Sequence, residues 1–230
     1  DPTDYASSYS VEVSPNGSTW SVVAACTGTG TPEVVSFSTQ TDQYVEVVLS
    51  APTPTDWWSM EYFDVYSASD EPFGGTPAVV PGTVQAANYD TGGQDVAYNV
   101  TSVNGSANGY RSDGVDLEDT ADTQDTSAAG GAYDMGWTTA GQWFNYTVDV
   151  ATAGTYTVSF RVASPYGITD ALHIVNSSGT NLTGAVAVPD AGGYETWTTV
   201  TATVTLPAGE QTLTVDQDSN GWNFHYMTFT

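Results

Sequence analysis

The stretch 132–146 reads AYDMGWTTAGQWFNY and sets two indoles, Trp137 and Trp143, six residues apart among glycine and threonine. An indole offers a broad apolar face and one N–H donor, so it either fills a core or stands open as a platform for a flat apolar ligand. Trp137 follows Gly136 in turn-like sequence, where a ring can stand exposed, and Tyr194 repeats that setting after Gly193. Trp143, Trp197 and Trp222 lie within or beside alternating stretches, where core or strand packing is the expected use.

Other chemistries fit less well. A glycosidase needs two carboxylates about 5–10 Å apart, one of them in an apolar setting that raises its pKa. The 27 Asp and Glu residues make close pairs inevitable, yet no acid stands in an apolar run and no nucleophile–base pattern occurs, so an enzyme is not expected. His173 and His225 lack Cys or Asp partners at ligand spacing and read as packing or surface residues. Cys26 is the chain's one cysteine and reads as a small buried hydrophobe. Arg161 is expected to form an ion pair on a strand face, and Arg111, in YRSDGVDLE, to orient that acidic loop through Asp113 or Asp116.

The charge balance narrows the partner. Two arginines and no lysine face the 27 acids, a net charge of −25 over 230 residues. Such a surface repels phosphate backbones, anionic lipid and sulfated or uronate-rich polymers, which leaves neutral or cationic ligands and no nucleic acid. No apolar run approaches the roughly 20 residues a membrane helix requires, so no membrane insertion is expected. The abundance of Ser, Thr, Asn and Gly, with no lysine, points to an exported protein, extracellular or at the cell surface.

Period-two alternation must supply the elements that hold these side chains. In TYTVSFRVA, Tyr156, Val158, Phe160 and Val162 share one face while Thr157, Ser159 and Arg161 share the other. TVTATVTLPAGE alternates in the same way before a Pro-Ala-Gly turn, and Pro15-Asn16-Gly17 marks a hairpin between two more strands. Many short strands separated by Gly, Pro and Asn clusters predict an all-β sandwich. Residues 68–83, rich in Pro, Gly and acid, read as a linker between a unit at 1–67 and a second at 84–230.

The second unit presents VQAANYDTGGQDVAY, YRSDGVDLE, YDMGWTTAGQWFNY, PDAGGYETWTTVTATVTLPAGEQTLTV and NGWNFHYMTF in that order. This succession resembles the family 6 carbohydrate-binding modules. The resemblance implies a jelly-roll β-sandwich, a non-catalytic role and attachment to a secreted polysaccharide-active protein. It also implies a sugar slot between two loop aromatics, which match Trp137 and Tyr194, with an asparagine that matches Asn223. A further polar contact from the opening loop falls between Gln94 and Asn99. A second site on the concave sheet face would use Trp143, but its acidic partner falls near Val175. The family's structural calcium is bound by an acidic pair in the opening strand, which here reads Gln85-Ala86-Ala87. No cofactor is therefore required, although Asp90 and Asp95 offer hard oxygen ligands for calcium.

The first unit, through YSVEVSPNGSTWSVVAA, QYVEVVLSA and DWWSMEYFDVY, resembles the C-terminal half of a discoidin, or coagulation factor type C, domain. The other half would precede Asp1, so a strand-donating partner or another chain is expected to complete the sandwich, with Trp20, Trp57 and Trp58 as core aromatics. The leading expectation is a non-catalytic module that binds a neutral polysaccharide, a glucan first, as an accessory region of a secreted glycoside hydrolase. The rival is an extracellular surface or filament-forming glycoprotein built from sugar-binding sandwiches, favoured by six Asn-x-Ser/Thr sequons.

Overall fold

A computed structural model describes residues 5–31, 33–37, 40, 42–52, 58, 60, 63–65, 69–101 and 108–230, with residues 51 and 52 described as backbone only. The chain divides into two units, Asp1–Ala68 and Ser69–Thr230.

In the first unit β1 (Ala6–Ser14) lies between β2 (Ser21–Cys26) and β3 (Tyr44–Pro52), and both pairings are antiparallel. The hairpin between β1 and β2 turns at the expected residues. Gly17 takes the left-handed conformation at φ +68°, and Asn16 Oδ1 accepts the N–H groups of Ser18 and Thr19. Val11 and Val13 are buried, whereas Val22, Tyr44 and Val48 stand exposed. Trp20 and Trp58 are half-buried, and Trp57 lies outside the described residues.

The second unit is a β-sandwich. Its strands are β4 (Ala78–Val80), β5 (Gly82–Gln85), β6 (Tyr98–Asn99), β7 (Leu117–Asp119), β8 (Tyr133–Met135) and β9 (Trp143–Val150). They continue as β10 (Gly154–Ser164), β11 (Ile168–Asn176), β12 (Val186–Val188), β13 (Gly193–Leu206), β14 (Gly209–Gln217) and β15 (Asn223–Phe229). One sheet runs β13-β10-β15-β8-β7, with β5 also on β15; the other runs β12-β11-β14-β9-β4, with β6 also on β9.

Alternation buries one face of each long strand. Tyr156, Val158, Phe160 and Val162 of β10 meet Phe144, Tyr146, Val148 and Val150 of β9 in a single core, joined by Phe224, Met227 and Phe229 of β15. Burying each such side chain contributes about 1.5–3 kcal/mol, which holds the two sheets together. The expected linker does not stay out of this fold. Val80 is buried, β4 runs parallel to β9 through Val80↔Val150, and Asp70 accepts a hydrogen bond from Asn145. The apolar run Ala78-Val79-Val80 outweighs the surrounding Pro and Gly once a sheet edge is available.

Two irregularities shape the edge where β7, β8, β13 and β15 end. Opposite β10, the register of β13 jumps from Trp197 to Gly193, so residues 194–196 bulge out of the ladder and carry Tyr194 and Glu195 away from the sheet. On β7 and β8, Glu118 lies directly opposite Asp134.

Candidate functional site

Trp137 stands 50% exposed, on a backbone at φ +48°. A bulky side chain in the left-handed region costs about 1–2 kcal/mol, so the surroundings must impose it. They do so through the following turn. Thr138 Oγ1 donates to the Trp222 carbonyl at 2.6 Å and accepts the Trp222 N–H at 3.0 Å. The Thr139 N–H donates to Gln217 Oε1, and the Ala140 N–H to Asn220 Oδ1. Gly136 is needed for space: a Cβ there would lie 2.9 Å from Glu118 Oε1 and 3.6 Å from Asn223 Oδ1.

Tyr194 stands 44% exposed on the β13 bulge, with its ring edge-to-face on exposed Tyr166 at 6.3 Å. Tyr166 was not anticipated, although its place between Pro165 and Gly167 in a turn is the same signal that marks Trp137.

Asn223, the first residue of β15, is only 2% exposed. Its Nδ2 donates to Glu118 Oε1 at 2.9 Å, Asp134 Oδ1 at 3.3 Å and Glu195 Oε1 at 3.4 Å. Glu195, the chain neighbour of Tyr194, bonds this amide, and Gly136, the neighbour of Trp137, leaves the space beside it that a Cβ would take. One oxygen from each acid lies within 4.8 Å of the others, so ionising all three together is opposed by strong like-charge repulsion. Burial, then the charges of Glu195 and Glu118, push the Asp134 carboxyl far above the usual carboxylate range. Burial and then Glu195 raise Glu118 as well. The tight grouping of these acids was not legible in the chain.

Gln94 and Asn99 sit elsewhere, beside the second sheet. Gln94 spends both ends of its amide on the Val100 backbone, and Asn99 donates to Asp95 Oδ1 while facing Trp143 across β6 and β9. The polar side chains brought to Asn223 are the three acids instead.

Trp143 is half-buried and lines a depression of about 430 Å³ with Asp70, Asn145, Asn176, Thr214 and Asp216. Its acidic neighbour is Asp216, directly opposite on β14, while Val175 lies on β11, one strand further. Asp70 has one buried oxygen without a hydrogen bond, and burial, then the charge of Asp90, push it up to about 6. Its folded pKa thus exceeds the unfolded value near 4, and the folded state keeps a proton that the unfolded chain releases. Stability is therefore lost as pH rises from about 4 to about 6, by of order 1 kcal/mol after solvent screening of this half-buried group. Urea titrations at the two pH values should show that loss in the parent and not in Asp70→Asn.

Both arginines and both histidines sit against carboxylates. Arg111 pairs with Asp113 at 2.9 Å and stacks over Tyr89 at 3.6 Å. Arg161 pairs with Asp122, which also meets His225, and His173 lies between Asp216 and Asp218. The family's calcium position is poorly provided for. Ala86 and Ala87 are fully buried, Gln85 donates to Asp125, and both oxygens of Asp90 are taken by Thr147. Asp95 accepts from Asn99.

The family profile for carbohydrate binding module (family 6) matches residues 107–230. The chain belongs to carbohydrate-binding module family 6. This is a family of non-catalytic carbohydrate-binding modules, and residues 107–230 form such a module. The first unit lies outside the match. The clotting factor G alpha subunit of Tachypleus tridentatus is 30% identical over 108 residues, 46% of this chain and 16% of that protein. The module from Cellvibrio mixtus lichenase 5A, solved with cellotriose, is 28% identical, covering 66% of this chain and 97% of that one at a TM-score of 0.47. A β-1,3-glucan-binding family 6 module from Bacillus halodurans is 23% identical, covering 67% and 98% at a TM-score of 0.48. No helix among the described residues is long and apolar enough to cross a membrane.

Proposed function

We propose that the family 6 unit binds a neutral glucan by taking a glucosyl ring between Trp137 and Tyr194, as an accessory region of a secreted polysaccharide-active protein. The observation that carries this reading is Trp137 itself, a half-exposed indole held on a left-handed backbone by four hydrogen bonds from the turn that follows it. Folding alone gives no reason to keep such a ring there. In a β-glucosyl unit every ring substituent is equatorial, so both faces present C–H groups to a slot with an aromatic on each side. An axial hydroxyl, as in galactose, interrupts one face. The carboxylates of Glu118 and Glu195, both partly exposed, accept from sugar hydroxyls at the floor, and Asn223 orients them. The depression at Trp143, with Asp216 and Asp70, offers a second surface of the same chemistry.

Calorimetry with cello-, laminari-, xylo- and galacto-oligosaccharides tests the reading. Gluco-oligosaccharides should bind best, and Tyr194→Ala should weaken them by about 1–2 kcal/mol, roughly 5- to 30-fold. Residual binding should then disappear on adding Trp143→Ala. Silence across the panel, or a Tyr194→Ala protein indistinguishable from the parent, refutes it.

A further inference from the structure

We infer that Glu118, Asp134 and Glu195 form a calcium site beneath the aromatic cleft, at a position unrelated to the opening strand. Three observations point there. First, one oxygen from each carboxylate lies within 4.8 Å of the other two. Oxygens bound to a common calcium ion at about 2.3–2.6 Å can be no farther apart than roughly 4.6–5.2 Å. Octahedral magnesium, at about 2.0–2.1 Å, asks for a tighter set.

Second, Asp134 is wholly buried, and its Oδ2 finds no hydrogen-bond partner. An orphaned buried carboxylate oxygen is costly unless something pairs with it.

Third, the chain has no cation of its own to spare. It carries two Lys or Arg residues in all, and both are committed, Arg111 to Asp113 and Arg161 to Asp122. Both histidines are likewise engaged with other acids.

The surroundings orient the ligands. Glu195 Oε2 accepts the Ala121 N–H at 2.7 Å and the Trp197 indole N–H at 3.3 Å, which aims Oε1 at the cluster. Glu118 and Asp134 face each other across β7 and β8, a pairing of two acids that disfavours an antiparallel ladder when both are ionised and that an ion between them would relieve. Rotating the Asn223 amide replaces its Nδ2 with Oδ1 as a fourth oxygen. The site shares Glu118 and Glu195 with the floor of the glycan reading, but it does not rest on that reading, because its test is run without sugar.

The test uses the full chain, stripped with chelator and titrated with calcium chloride in the absence of sugar, by calorimetry and by terbium luminescence excited through indole. Trp197, hydrogen-bonded to Glu195, is the sensitiser. The parent should take up one ion at this site, with Asp134→Asn and Glu195→Gln weakened at least about tenfold and the distant exposed variant Glu210→Gln unchanged. Calcium should raise the melting temperature of the parent and not of Asp134→Asn, which in chelator should melt above the parent because an amide need not take up a proton to be buried there. A chain that takes calcium but ignores every oligosaccharide supports this site and defeats only the glycan reading. Absence of uptake by the parent, or equal uptake by the parent and both carboxylate variants, overturns the proposal.

Discussion

Arg161→Met is expected to destabilise the second unit by about 3–5 kcal/mol, read as a lower urea midpoint at pH 7. Arg161 donates to both oxygens of Asp122, at 2.6 and 3.0 Å. The side chains are 11% and 3% exposed, and His225, fully buried, meets the same carboxylate at 3.1 Å. Removing the guanidinium leaves the buried Asp122 carboxylate without its main partner, which costs far more than losing a surface ion pair. Burial alone would raise the Asp122 pKa; the hydrogen bonds from Arg161 and His225 overcome it and hold the carboxyl at about 2. A depressed carboxyl contributes stability that is present above about pH 4 and lost as pH falls toward 2. The variant should have lost that acid limb already. A change below about 1 kcal/mol would mean that water reaches the pair.

Trp137→Gly should separate binding from folding. Binding of a gluco-oligosaccharide should fall by about 1.5–3 kcal/mol, roughly 10- to 150-fold, because the proposed binding mode places the sugar on this ring. Stability should stay within about 1 kcal/mol of the parent. Glycine releases the left-handed strain, about 1–2 kcal/mol, but adds about 0.5–1 kcal/mol of chain entropy and forfeits the ring's half-buried contacts. Calorimetry and thermal melting on the same preparation check both halves. Unchanged binding would remove Trp137 from the site; a large loss of stability would make it a structural residue.

The long strands and the exposed aromatics were legible in the chain. TYTVSFRVA became β10 with Tyr156, Val158, Phe160 and Val162 buried, because alternation maps directly onto the two faces of a sheet. The glycines before Trp137 and Tyr194 marked loop rings, and both rings stand in the open. The expected ion-pair roles of Arg111 and Arg161 also follow from the chain, since two cations among 27 acids must find carboxylates.

Other features depend on contacts between residues far apart in sequence. Residues 68–83 read as a linker because composition carries no information about the strand that β4 meets. The partner of Trp143 is Asp216 because β14, not β11, lies against β9, and pairing order is a property of the sandwich. Asp134 resembles any acid in a short polar run, yet it is wholly buried where β8 packs between β7 and β15.

By itself, then, the sequence determined an all-β chain, a strongly acidic composition, and two loop aromatics that stand exposed, each a consequence of local pattern or summed charge. Only the tertiary structure decided that Glu118, Asp134 and Glu195 converge on Asn223. That convergence requires a three-residue bulge in β13 and a like-charge register between β7 and β8. Bulges and registers are settled by packing across the whole sheet, so no local stretch encodes them.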